Sequence, residues 1–184
     1  MTDTARATDP EPDDVLLERW RSGDERAASA LVARHAPALS RYAASLGVWE
    51  EASEVVQDTF VRAFDSIDSF RRESSLRTWL FTILRRLVLD RRRATGRRGR
   101  IEELDDGRAE SRYDALDGLV AAETERRIMQ AVARLTRMQR EVFTLRVSEG
   151  LSYRDIANVL GSTEGAARVH YHSALRAVKE ILDD

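Results

Sequence analysis

The chain of 184 residues has no cysteine, only three prolines and nine glycines, and almost no lysine. Without a thiol there is no disulfide, no thiol nucleophile, no thiol redox switch and no cysteine-ligated metal, which fits a reducing compartment. The scarcity of proline and glycine favours helices. No apolar run approaches the roughly 20 residues of a membrane span, and the N-terminus lacks an apolar signal core, so a cytoplasmic protein without membrane insertion is expected. Neither a Glu-x-x-His partner for Glu51, Glu54 and Asp58 nor a convincing Ser, Tyr or clustered-carboxylate active site is present, so no catalytic residue, metal or cofactor is expected. His35 reads as a core or surface residue, and His170 and His172 as surface residues, rather than ligands.

With 42% hydrophobic and 34% charged residues, the chain can bury real cores in one or two domains. Its net charge of -2 conceals strong segregation. Between Arg71 and Arg100 eleven arginines face only Glu73 and Asp90, a local net of +9 that suits phosphate. Nearly all the basic charge is arginine, whose planar fork matches phosphate and guanine edges in pairs of hydrogen bonds.

That basic stretch is a polar loop from Phe70 followed by a helix. At about 100° per residue, Leu76, Trp79, Leu80, Ile83, Leu84 and Leu87 share one apolar arc. Arg77, Arg85, Arg86, Arg92 and Arg93 occupy the opposite arc with Thr78, Thr82, Phe81 and Leu89. Upstream, residues 1–14 read as a disordered acidic tail. Helical patterns follow from Val15 to Trp20 and from Asp24 to His35, where Pro37 is expected to end or kink the helix. A further segment runs from Leu39 to Leu46 and closes at Gly47. The next helix, from about Glu50 or Ser53 to Ile67, is expected to bury Val56, Phe60, Ala63, Phe64 and Ile67 and to turn Glu54, Gln57, Asp58, Val61, Arg62 and Asp65 outward.

Residues 95–122 lose any apolar stripe and change from basic to acidic, the pattern of a flexible linker. Beyond it the punctuation is sharp. A helix from about Ala122 carries Ile128, Met129, Val132 and Leu135. Thr136 and Gln139 form a capping box, Gly150 stops the second helix, and Ser152 with Asp155 opens a third that ends at Gly161. The last helix is predicted to bury Ala167, Tyr171, Ala174, Leu175, Val178, Ile181 and Leu182, with Arg168, Val169, His172, Ser173, Arg176 and Lys179 outward. Two short helices joined by a glycine-containing turn, the second longer and basic, are the signature of a helix-turn-helix.

Two blocks carry a resemblance to a known family. Residues 54–64 (EVVQDTFVRAF) running into 70–80 (FRRESSLRTWL) resemble region 2 of the sigma-70 family. Residues 139–143 (QREVF), 149–157 (EGLSYRDIA) and 163–165 (TEG) resemble its region 4. In this order and separation the chain is similar to an extracytoplasmic-function (ECF) sigma factor over residues 15–184. The resemblance implies an all-α protein of two small helical domains, region 2 over 15–94 and region 4 over 123–184, joined by the 95–122 linker.

It further implies a promoter-specificity factor for core RNA polymerase, not itself an enzyme. Glu54, Gln57, Asp58 and Val61 would meet the β′ clamp helices, with region 4 toward the β flap. Phe70, Ser74, Ser75, Arg77, Trp79, Arg85 and Arg86 would melt and hold the -10 element by stacking and cationic contacts. Glu164, Gly165, Arg168, Val169, His172, Ser173 and Arg176 would read the -35 element in the major groove. Arg86 stands where the family often has Asn, and Val169, His170 and Tyr171 replace its commoner small-basic-aliphatic run, so base preferences are not borrowed. An anti-sigma factor would cover the same faces, no fused sensory domain is expected after region 4, and the polymerase-bound protein would be nucleoid-associated. The rival reading is a helix-turn-helix regulator that binds duplex DNA without polymerase.

Overall fold

In a computed structural model the described residues are 11–98 and 127–183, all of them helical or in connecting turns. The chain divides into two compact units, Met1–Pro37 and Ala38–Asp184.

The first unit holds α1 (Asp13–Arg21) and the opening of α2 (Glu25–Ser45). Asp13 and Asp14, read as the end of a tail, instead start α1, where carboxylates complement the positive helix terminus. Asp13 also reaches across the hairpin, 2.6 Å from Arg34 and 2.8 Å from the buried His35. Although burial pushes the Asp13 carboxyl up, the hydrogen bonds and charges of His35 and Arg34 outweigh it and hold its pKa below the ordinary value. Leu16, Leu17, Ala27 and Leu31 are buried.

Pro37 does not end a helix: α2 runs unbroken from Glu25 to Ser45. An interior proline costs about 3 kcal/mol, but burial of a side chain such as Leu39 or Tyr42 in the following turns returns about 1.5–3 kcal/mol each, so continuation wins. The helix closes where expected, at Gly47 in the left-handed region with φ +80°.

In the second unit α3 (Ala52–Asp65) packs on α4 (Leu76–Arg98) by burying Val55, Val56, Phe60 and Ala63. A 3-10 turn at Ile67–Ser69 leads into the loop before α4. Ser75 caps α4, its Oγ accepting from the Thr78 N–H at 3.1 Å. The helix persists to Arg98, a turn beyond the point where the sequence pattern dissolves; the rest of the expected linker, like most of the expected tail, lies outside the described residues.

A helix over 127–133 (α5) is followed by α6 (Arg137–Phe143), α7 (Tyr153–Leu160) and α8 (Glu164–Asp183). The Thr136–Gln139 capping box forms in both directions, and Ser152 accepts from the Asp155 N–H at 3.1 Å. A wide π-type turn at Thr144–Ser148 extends α6 toward Gly150. Gly161, at φ +64°, ends α7 and sets up the turn of the helix-turn-helix. Ala131, Leu135, Phe143, Ala174 and Val178 form the core of this half, with Tyr171, Ile181 and Leu182 packed at its edge. Leu175 departs from expectation and is 45% exposed. Ala174 and Val178 face the core directly, and position 175 lies about 100° around the helix from 174.

Candidate nucleic-acid interface

The outer face of α3 presents Glu54, Gln57 and Val61 to solvent, with Asp58 half-buried between them. Arg91 of α4 organises the acidic members, donating to Glu54 at 2.9 Å and Asp58 at 2.6 Å and lying 3.6 Å from Glu51. A cation thus sits among the three carboxylates, and among the described residues no group of acidic or imidazole side chains is arranged to hold a metal. Val61 is left as an apolar knob, 54% exposed, on a polar face.

At the start of α4 the structure brings two of the expected strand-binding residues into contact: the Phe70 and Trp79 rings lie 5.0 Å apart. Both rings are half-buried, and Ser74 and Ser75 flank them. Arg72, in the same loop, adopts a left-handed backbone with φ +58°, a conformation that costs a non-glycine residue about 1–2 kcal/mol and tends to persist at working loops. Arg86 points to solvent.

Arg85 does not, with its side chain 13% exposed, and Arg77 is open only in part, at 36%. On the arc predicted to be exposed, Thr78 and Phe81 are fully buried, because α4 is sandwiched between α3 on one side and α7 on the other. Phe81 packs edge-to-face on Tyr42 at 5.2 Å, with the Arg77 guanidinium 5.6 Å from its centroid. Leu89, placed on the same arc, is half-buried.

Two carboxylates that the sequence did not single out as site residues, Glu141 and Glu149, close this contact with side chains 0% exposed. Arg85 Nε donates to Glu141 Oε2 at 2.7 Å and Arg137 Nε to Oε1 at 3.0 Å, while the Tyr42 hydroxyl donates to Oε2 at 3.4 Å. Burial pushes the Tyr42 phenol well above its ordinary pKa, and the adjacent Glu141 charge adds to this, so it remains a donor. Arg41 grips Glu149 with two hydrogen bonds, at 2.8 and 3.1 Å, and Arg77 donates to the same carboxylate and to the Glu149 carbonyl.

On α8 the expected outward set is outward: Glu164, Gly165, Arg168, Val169, His172 and Arg176 are exposed and Ser173 half-buried. Val169 is 66% exposed, an apolar side chain left in water on a helix whose other face is packed. Arg168 of α8 and Arg146 of the preceding π-type turn lie over the Tyr153 ring of α7 at 4.8 and 4.7 Å. Thr163 caps α8 through its Oγ1, 3.1 Å from the Ala166 nitrogen.

A polar face, an aromatic loop on a basic helix and a helix-turn-helix with an open recognition face are the parts of a promoter-specificity factor. Residues 31–98 match the family described as Sigma-70 region 2, and residues 125–178 match Sigma-70, region 4. The ECF RNA polymerase sigma-E factor of Haemophilus influenzae is 33% identical over 170 residues, covering 85% of this chain and 87% of its own. Among solved structures, CnrH in complex with the cytosolic domain of CnrY aligns with a TM-score of 0.66 at 30% identity, covering 93% of this chain and 97% of that one. The sigma factor RpoE in complex with the anti-sigma factor NepR from Bartonella quintana gives 0.63 at 29% identity over 94% and 98%.

The chain belongs to the extracytoplasmic-function sigma factors of the sigma-70 family. It is a transcription initiation factor that binds core RNA polymerase and directs it to promoter DNA, and the polymerase-independent regulator is not favoured. Among the described residues no helix is long and apolar enough to cross a membrane.

Proposed function

We propose that the separate faces divide the work of initiation. The α3 face of Glu54, Gln57, Asp58 and Val61 docks on the β′ clamp helices, where an exposed valine ringed by polar groups suits a partner helix. Region 4 lies toward the β flap and inserts α8 at the -35 element. There Arg168 and Arg176 meet phosphates or guanine edges, and Val169 offers an apolar contact to a thymine methyl. Glu164, Gly165, His172 and Ser173 complete that face.

The Phe70–Trp79 pair is the observation that carries the -10 assignment. Two aromatic rings beside a basic helix can stack an unpaired base while Ser74, Ser75, Arg77, Arg85 and Arg86 hold the strand, and this favours the melted duplex. Region 2 is assigned to 15–94, extended by the start of α1 at Asp13 and the end of α4 at Arg98, the linker to the remainder of 95–122 and region 4 to 123–184. The protein works with polymerase in the cytoplasm and at the nucleoid. An anti-sigma factor, such as the one in the Bartonella quintana complex, restrains it by covering these faces.

Run-off transcription with core polymerase, with and without this protein, on a library of promoter fragments tests the reading. Protein-dependent transcripts sharing two upstream elements are expected; their absence would refute it. Asp58→Ala should weaken core binding and spare duplex binding. Arg168→Ala should spare core binding and lower the salt-dependence slope of DNA binding by about one unit.

A further inference from the structure

Where the connection between α2 and α3 meets the last turns of α4, the second unit holds an open cavity of about 330 Å³. That is the small end of the range for ligand sites, roughly 300–1,000 Å³. Val48, Val55 and Val88 give it an apolar lining, and Val55 and Val88 are buried core residues of the α3–α4 packing. Arg91, Arg92 and Thr95 supply its polar side. None of these six residues belongs to the faces assigned to polymerase or to promoter DNA.

The two arginines are not equivalent. Arg91 is neutralised by Glu54 and Asp58, at 2.9 and 2.6 Å, with Glu51 3.6 Å away. Arg92 instead donates to the Leu46 carbonyl near the end of α2 and sits against Gly47, where a Cβ would come 3.4 Å from its Nη2. Among the described residues no carboxylate lies within ion-pair distance of Arg92. A guanidinium carries five N–H donors, so one carbonyl leaves most of them for another acceptor. Burial lowers the Arg92 pKa, the like charges of Arg137 and Arg140 lower it further, and Glu141 offsets this only in part. An anion arriving at this cation therefore meets uncompensated positive charge.

We propose that the cavity binds a small amphipathic carboxylate, its aliphatic body on Val48, Val55 and Val88 and its carboxylate accepting from the Arg92 guanidinium. The pairing of the two surfaces excludes simpler ligands. A neutral apolar molecule would desolvate Arg92 without meeting its donors, which costs more than it gains. Inorganic phosphate would satisfy Arg92 and leave the valines in water.

The test is calorimetric titration of the full chain with octanoate as the probe and octan-1-ol, which has the same apolar body without the charge, as its control. Octanoate should bind with a Kd of about 1 mM or tighter, within reach of a ligand of about ten non-hydrogen atoms, and octan-1-ol at least about tenfold more weakly. Arg92→Gln should weaken octanoate at least about tenfold, because a charge-assisted hydrogen bond is lost. Arg93→Gln, which alters an exposed arginine paired with Asp90 outside the cavity, should leave the affinity unchanged. No octanoate binding, equal binding of octan-1-ol, or equal weakening by the two arginine variants would overturn the site. If Arg92→Gln lost helical circular dichroism, Thr95→Trp decides: Thr95 is exposed at the rim, its hydroxyl only donates to the Arg91 carbonyl, and an indole there should fill the cavity and abolish binding. Undiminished binding by a folded Thr95→Trp protein would equally overturn it.

Discussion

On α8, Glu164 and Arg168 meet at 2.7 Å with side chains 51% and 54% exposed. On the interface of α4, Arg85 and Glu141 meet at the same 2.7 Å, with the carboxylate wholly buried. Distance therefore says nothing about their weight. In water, side-chain entropy and screening leave an exposed pair worth about 0–1 kcal/mol. In the interface, removing one partner strands the other in a poorly solvated site, which costs several times more. The first pair can be broken at little cost, whereas breaking the second leaves a charge stranded in the interior.

The sharpest way to break this comparison is Arg85→Ala, which leaves Glu141 with Arg137 and Tyr42. It should cost the packed form about 3 kcal/mol, and the loss should appear as faster amide exchange in α6 and α7 without early unfolding of α3. Equal exchange with the parent protein would show that burial adds nothing to the pair.

An intermediate case is Asp13, part-exposed against a buried His35. Asp13→Asn should lower stability by about 1–2 kcal/mol at pH 7 in a urea titration. Since the folded-state pKa of Asp13 is depressed, its contribution is present above the unfolded value and is lost as pH falls through the folded one. The variant should therefore lose less stability than the parent below about pH 4. At the small end, Glu164→Gln should change stability by less than about 0.5 kcal/mol, and thermal melting should barely move.

Local features were readable in the sequence wherever the physics is local. The Thr136 box, the Ser152 cap and the glycines at 47 and 161 depend on groups within a few residues of each other, and they form as read. Val56, Phe60 and Ala63 on α3 and most of the outward set on α8 fall where helical period puts them, whereas Phe64 is half-buried and Val55 is buried without having been marked by the pattern. Leu175 shows where period stops deciding: a leucine at the margin of a stripe can face water when its neighbours fill the core. Pro37 shows the same from the other side, since a local penalty lost to burial that no local rule counts.

By itself, then, the sequence determined most of the helices, their caps and the family, because period, capping and motif spacing act over a few residues. Only the tertiary structure decided that Thr78 and Phe81 are buried and that Glu141 and Glu149 are interior. Those fates depend on which surface a region more than fifty residues further along the chain comes to cover. Burial of a charged side chain is decided by the partner it finds, and Arg41, Arg77 and Arg85 become partners only after the chain has folded.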